Sequence, residues 1–152
     1  MIIMMTMNEL LEKALRIAVE AHAGQVDKAG KPYIFHSLRV CVRCSTDEER
    51  LVALLHDTIE DTEITAEDLL VAGFPRNIVD AILAVSRKEG ESYEDFIVRA
   101  GQKPLSRAVK LHDLEDNMDI SRLEQVTAGD VNRLNRYIRA YRYLYSRKVK
   151  EE

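Results

Sequence analysis

Apolar side chains along this chain recur mostly at three- and four-residue spacing, the repeat of one helical face. No stretch alternates with period two between turn signals, so no strand is predicted. Residues 8–23, NELLEKALRIAVEAHA, carry the spacing first and stop at Gly24, a residue suited to the left-handed turn that ends helices. GQVDKAGKP is then a loop, and a second helix is expected from Tyr33 to about Cys44. Asp47 or a neighbour caps a third, expected to run through LVALLHDTIE. Thr65 opens a short helix ended by Gly73, Pro75 opens PRNIVDAILAVS, and Ser92 caps SYEDFIVRA before Gly101. Pro104 opens PLSRAVKLHDLEDNM, and Asp130 precedes a last helix over 131–148. The expected fold class is all-α, a compact bundle of about seven or eight helices in one domain over 1–152, with residues 1–6 free to fray.

One apolar run is interrupted where burial makes charge costly. LLHDTIEDT, 54–62, holds His56, Asp57, Glu60 and Asp61. Read as one helix at ~100° per residue, these four fall within an arc of roughly 140°, with Leu51, Val52, Leu54, Leu55 and Ile59 on the rest. KLHDLEDNM, 110–118, repeats the theme with Asp113, Asp116 and Asn117 opposite Leu111, Leu114 and Met118. His36 ends the largely apolar KPYIFH. Three helices thus offer imidazole or carboxylate groups that can converge. A divalent ion suits such a mixture, because it binds neutral nitrogens with anionic oxygens and offsets the repulsion between neighbouring carboxylates. Without thiolates the set fits manganese, iron or cobalt at least as well as zinc.

Composition narrows the partners. The 152 residues are 46% hydrophobic and 32% charged, with a formal charge of −4, which argues against nucleic-acid binding by blanket phosphate neutralisation. MIIMMTMNEL lacks a basic leader region and is too short to span a membrane, so a cytoplasmic protein without a membrane partner is expected. Cys41 and Cys44 form a CxxC with no second cysteine pair, and their spacing suits two small side chains packed on one helix face.

The stretches AHAGQ (21–25), GKPYIFH (30–36), LLHDTIEDT (54–62) and KLHDLEDNM (110–118) together resemble the HD-domain phosphohydrolases. The resemblance is closest to the hydrolase domain of RelA/SpoT enzymes and their small stand-alone relatives. It implies that His36, His56, Asp57 and Asp113 ligate a metal ion, in that branch typically Mn2+. It also implies that Glu60 and Asp61 orient or deprotonate the attacking water, and that Asn117 borders the substrate. The implied reaction is hydrolysis of ppGpp at its 3′-pyrophosphate, a small phosphorylated nucleotide being the partner, and the length leaves no room for a synthetase half. Lys28, in the loop before His36, is placed to meet a phosphate. The sequence departs from the family at Asp27, where an arginine near the base is usual, at Ser37, where proline is common, and at His112, often alanine. Asp27 favours a related phosphorylated nucleotide as the alternative substrate, and a metal-binding regulatory module without turnover is the reading from outside enzymology.

Other features carry weaker expectations. His22 is expected to make structural hydrogen bonds, and His112 rivals His36 for the second imidazole. Arg87, beside Lys88 in SRKEGESYEDF, is the basic contact expected from that segment. On the last helix Leu134, Tyr137, Ile138, Tyr141, Leu144 and Tyr145 are expected to dock on the core while the arginines stay solvated. Oligomeric state is not encoded in any of these patterns.

Overall fold

Side-chain caps open five of the nine α-helices among the described residues, 4–151, of the computed structural model. Thr6 accepts a hydrogen bond from Glu9 N at 3.2 Å while the Glu9 carboxylate takes Thr6 N at 2.7 Å, a reciprocal box that starts α1 (Met7–Ala21). Of the six residues expected to fray, 1–3 lie outside the described residues, Met5 packs on the core and Thr6 is this cap. α2 (Ile34–Arg43) follows the loop, Thr46 caps α3 (Asp47–Leu55), and α4 (Thr58–Asp61) is a single turn. α5 (Ala66–Val71) has a Thr65–Asp68 capping box, α6 (Arg76–Ala84) follows Pro75, and Ser92 caps α7 (Tyr93–Ala100). α8 (Pro104–Asn117) begins on Pro104, and α9 (Ala128–Glu151) closes the chain.

Eight helices of six or more residues, with α4 as an extra turn, make an all-α bundle. Among the described residues, β pairing is confined to one isolated bridge, Val26 with Pro32. α3 lies at the centre, packed on α1, α2, α6 and α8, and its Leu51–Leu55 run is wholly buried. Two apolar clusters result. The larger joins α1, α2, α3, α5 and α6 around Leu51, Leu55, Leu69 and Ile82, and the smaller joins α7, α8 and α9 through Phe96, Leu111, Leu114 and Leu144. Each such leucine contributes about 2 kcal/mol when removed from water. Among the described residues no helix is long and apolar enough to cross a membrane.

Three expectations are corrected. The single helix through 51–61 breaks at His56 and Asp57, because side chains take the carbonyls of the last turn: His56 Nδ1 donates to Ala53 O at 2.6 Å and Thr58 Oγ to Leu55 O at 2.7 Å. The break buries His56 and Asp57 while Glu60 and Asp61 lie on an exposed turn, so the four stay close together but differ in burial. The last helix starts earlier than 131, because Thr127 and Asp130 form a capping box, with Thr127 N to Asp130 at 2.9 Å and Asp130 N to Thr127 at 3.2 Å. Ile138 and Tyr145 are exposed, and the face that α9 buries is centred on Ala140 and Leu144 instead, with Tyr137 and Tyr141 partly covered.

Candidate metal centre

Three elements meet behind α3. α2 supplies His36, the break after α3 supplies His56 and Asp57, and α8 supplies Asp113, all buried. His36 Nε2 lies 2.9 Å from Asp113 Oδ1 and 3.6 Å from Asp57 Oδ2. His56 Nε2 lies 3.0 Å from Asp57 Oδ2 and 3.3 Å from Asp113 Oδ1. Separations near 3 Å are those of adjacent donors around an ion with ~2.1 Å bonds at right angles. His112 stands apart from this group, beside Glu115 on the outer side of α8, so the second imidazole brought in is that of His36.

The hydrogen bonds behind the rings fix which nitrogen faces inward. A carbonyl can only accept, so His56 Nδ1 carries a proton toward Ala53 O, and Nε2 is left buried without a hydrogen-bond partner despite two carboxylates close by. His36 Nδ1 is bonded to Asp116 Oδ2 at 2.7 Å, which likewise turns Nε2 inward. Two inward lone pairs facing two carboxylates need positive charge between them. The donor set therefore fits a divalent metal ion.

In the metal-free protein, protons fill that need. Burial lowers the His36 pKa, but the bonds to Asp113 and Asp116 prevail and raise it to about 9. Burial likewise opposes His56, and Asp57 and Asp113 hold it well above its ordinary value. Burial would raise Asp57, yet the His56 charge brings it to about 2, and Lys110 with the imidazoles holds Asp113 well below the carboxylate range against the same burial. Two imidazolium protons carry the same charge as one divalent cation, so the exchange leaves the charge of the cluster unchanged.

The centre opens into a cleft of about 450 Å³. Glu60 and Asp61 lie on its rim, where each can offer an oxygen within 4.8 Å of Asp57. Burial raises the pKa of both, and with Asp57 and Glu60 adding negative charge Asp61 reaches about 6. Glu60 is held by Arg87, but through the backbone: Arg87 N donates to Glu60 Oε1 at 2.6 Å. The Arg87 side chain donates to Glu91 O and sits 5.9 Å from the Tyr93 ring, still on the cleft wall. Lys28 also lines the cleft, largely exposed, with Asp130 at 4.0 Å. Asn117 lines the floor and donates to Asp113 Oδ1 at 3.2 Å. Eight of the nine residues named from the sequence therefore line one cleft, and the ninth, His56, is buried behind it beside Asp57.

Three groups support the ligands, of which the sequence named only Asp116, as an acid of the second segment, and neither Lys110 nor Tyr33. Asp116 holds His36 and accepts from Arg39 Nε at 2.8 Å, Lys110 donates to Asp113 Oδ2 at 2.7 Å, and the Tyr33 hydroxyl donates to Asp57. Only Asp116 left a signal, one helical turn beyond Asp113. His22 is buried, bonded to Gln25 at 2.8 Å and packed on Tyr33, while Gln25 ties down Asp61 O.

No family model matches the chain. A guanosine-3′,5′-bis(diphosphate) 3′-pyrophosphohydrolase of Aquifex aeolicus is 31% identical over 121 residues, covering 72% of this chain and 17% of that protein. A GTP pyrophosphokinase of Myxococcus xanthus is 32% identical over 127 residues, with the same coverage of 72% and 17%. The bifunctional (p)ppGpp synthase/hydrolase SpoT of Escherichia coli is 36% identical over 89 residues, 56% of this chain and 12% of that one. The chain spans 17% or less of the length of these relatives. Its fold is similar to that of a metazoan SpoT ortholog described as hydrolysing ppGpp, with a TM-score of 0.72 over 91% of this chain and 84% of that one at 20% identity. Similar to SpoT-type proteins in sequence and to one of them in fold, with His56 and Asp57 adjacent where three elements meet, the chain is a relative of the HD-type hydrolase domain of the RelA/SpoT family.

Proposed function

We propose that this chain is a metal-dependent phosphohydrolase that removes the 3′-pyrophosphate of ppGpp, working in the cytoplasm with manganese as the ion. The observation that carries the reading is the buried His56 Nε2, without a hydrogen-bond partner, turned together with His36 Nε2 toward Asp57 and Asp113 on a chain related to ppGpp hydrolases. His36, His56, Asp57 and Asp113 would hold the ion, which supplies positive charge to acidify water and polarise a phosphoryl oxygen. The chain's own groups do the rest. Glu60 and Asp61, one turn past the ligands, orient the attacking water and take its proton, and a raised carboxylate pKa is suited to that exchange near neutral pH. Lys28 and Arg87, both lining the cleft, offset the charge of the incoming polyphosphate, and Asn117 fixes Asp113 while bordering the substrate. Water adds at phosphorus, the bond to the 3′ oxygen breaks, and that oxygen leaves protonated, giving GDP and diphosphate.

A second reading has its own observation. The Asp27 carboxylate accepts from Ala29 N and Lys31 N, both at 2.9 Å, so the position that usually carries a base-contacting cation is spent on folding the loop. That favours a different phosphorylated nucleotide with the same chemistry. The test is to incubate the manganese-loaded protein with ppGpp, pppGpp, nucleoside mono- and triphosphates and phosphorylated dinucleotides, with Asp57→Ala as control. Diphosphate from ppGpp supports the first reading, turnover of another compound the second, and no turnover by metal-loaded protein rejects both.

A further inference from the structure

A second group of donors lies away from the cleft. Cys44 at the end of α2, Glu49 in the first turn of α3 and His112 on α8 each offer a ligand atom within 4.8 Å of the other two. The CxxC reads as core packing in sequence because no second pair of soft ligands follows it, and the fold brings that missing half from two other helices. We propose that Cys44, Glu49 and His112 form a second cation site, selective for a thiophilic divalent ion of the zinc type.

The chemistry matches. One thiolate and one carboxylate neutralise a divalent charge, the imidazole adds a neutral nitrogen, and mixed sulfur–nitrogen–oxygen sets favour zinc over manganese. His112 Nδ1 lies 3.4 Å from Glu115 Oε2, the kind of carboxylate pairing that orients metal-bound imidazoles. Neither remaining donor is firmly committed. The Glu49 carboxylate makes only long cap bonds, 3.3 Å from Ser45 N and 3.2 Å from Thr46 Oγ, and the Cys44 thiol donates weakly to Val40 O at 3.3 Å. Burial and the nearby Glu49 hold that thiol protonated up to about 12, so ion uptake displaces its proton to solvent. Water completes the coordination. Position 112 precedes Asp113 and so faces about 100° away from it around α8, which keeps the two sites separate. The ion would clamp α2, α3 and α8 together, the same helices that deliver His36, His56 and Asp113.

Cobalt serves as a spectroscopic stand-in for zinc, because thiolate-to-cobalt charge transfer reports sulfur ligation and the cleft ligands contain no sulfur. Titrating the reduced full chain with cobalt should give that band, with the same intensity at saturation in the wild type and in Asp57→Ala. His112→Gln, on the partly exposed side of α8, should keep native helical circular dichroism and bind cobalt at this site at least tenfold more weakly, as should Glu49→Gln. Absence of the band, or a band of unchanged affinity in folded His112→Gln, overturns the proposal. Loss of ppGpp turnover in Asp57→Ala with the band intact would leave it standing, so the two sites are tested independently.

Discussion

The Nδ1 of His36 is joined to Asp116 Oδ2 at 2.7 Å across eighty positions of sequence, and this bond decides which face of the imidazole the centre receives. Asp116 is itself fixed by Arg39 Nε at 2.8 Å and is wholly buried.

Asp116→Asn therefore weakens the ion's grip without removing a ligand. Losing an orienting carboxylate lowers metal affinity about 10- to 100-fold. Calorimetric manganese titration of the folded variant checks this, and wild-type affinity would mean that packing alone orients His36.

The metal-free and metal-loaded proteins should respond oppositely to alkali. The folded pKa of His36 is raised from 6.5 to about 9, so its stabilisation of the metal-free protein is full below pH 6.5 and is lost as pH rises through about 9. The ion competes with the same proton, so manganese affinity climbs through that window. Melts of EDTA-treated protein should fall in Tm from neutral pH to about 9, and manganese-saturated samples should hold theirs. Parallel curves would count against ligation by His36.

Glu60→Gln retains the oxygen that Arg87 N bonds and does not touch the four ligands. It should keep manganese stoichiometry and lower turnover about 10²- to 10⁴-fold, the usual size of a general-base contribution. Wild-type activity would remove Glu60 from the reaction.

Asp27→Arg places a cation at position 27 and removes two backbone bonds at 2.9 Å. The expected trade is about 1 kcal/mol of stability against a higher kcat/KM for guanosine 3′-pyrophosphates relative to other nucleotides. The ratio across a substrate panel reads it out, and an unchanged ratio would place base selection elsewhere.

Leu144 is fully buried between α9, α7 and α8. Leu144→Ala should cost about 2–5 kcal/mol in urea melts. A cost below about 1 kcal/mol, the range of surface changes, would show that α9 is not docked through this residue.

Much of this was legible in the chain because the signals are local. Capping residues such as Ser92 and Thr65, the prolines at helix starts and the three- and four-residue apolar spacing act within one turn, so they announce helices wherever the helices later pack. The ligand types were legible too, since an imidazole and several carboxylates amid leucines have few inexpensive explanations. The break at His56 and Asp57 was not, because it depends on side-chain bonds to Ala53 O and Leu55 O that periodicity does not register. Nor was the use of Arg87 through its backbone rather than its guanidinium.

The sequence by itself determined the helical class, caps such as Thr65 and Ser92, and the inventory of metal-binding side chains, since each is a property of neighbours a turn or less apart. Tertiary structure alone decided that His36 rather than His112 meets His56, that Asp116 and Ala53 O aim the two rings, and that Cys44 finds Glu49 and His112. Those are distances between helices far apart in the chain, and they are set by how Leu51–Leu55 and Leu114 are buried together.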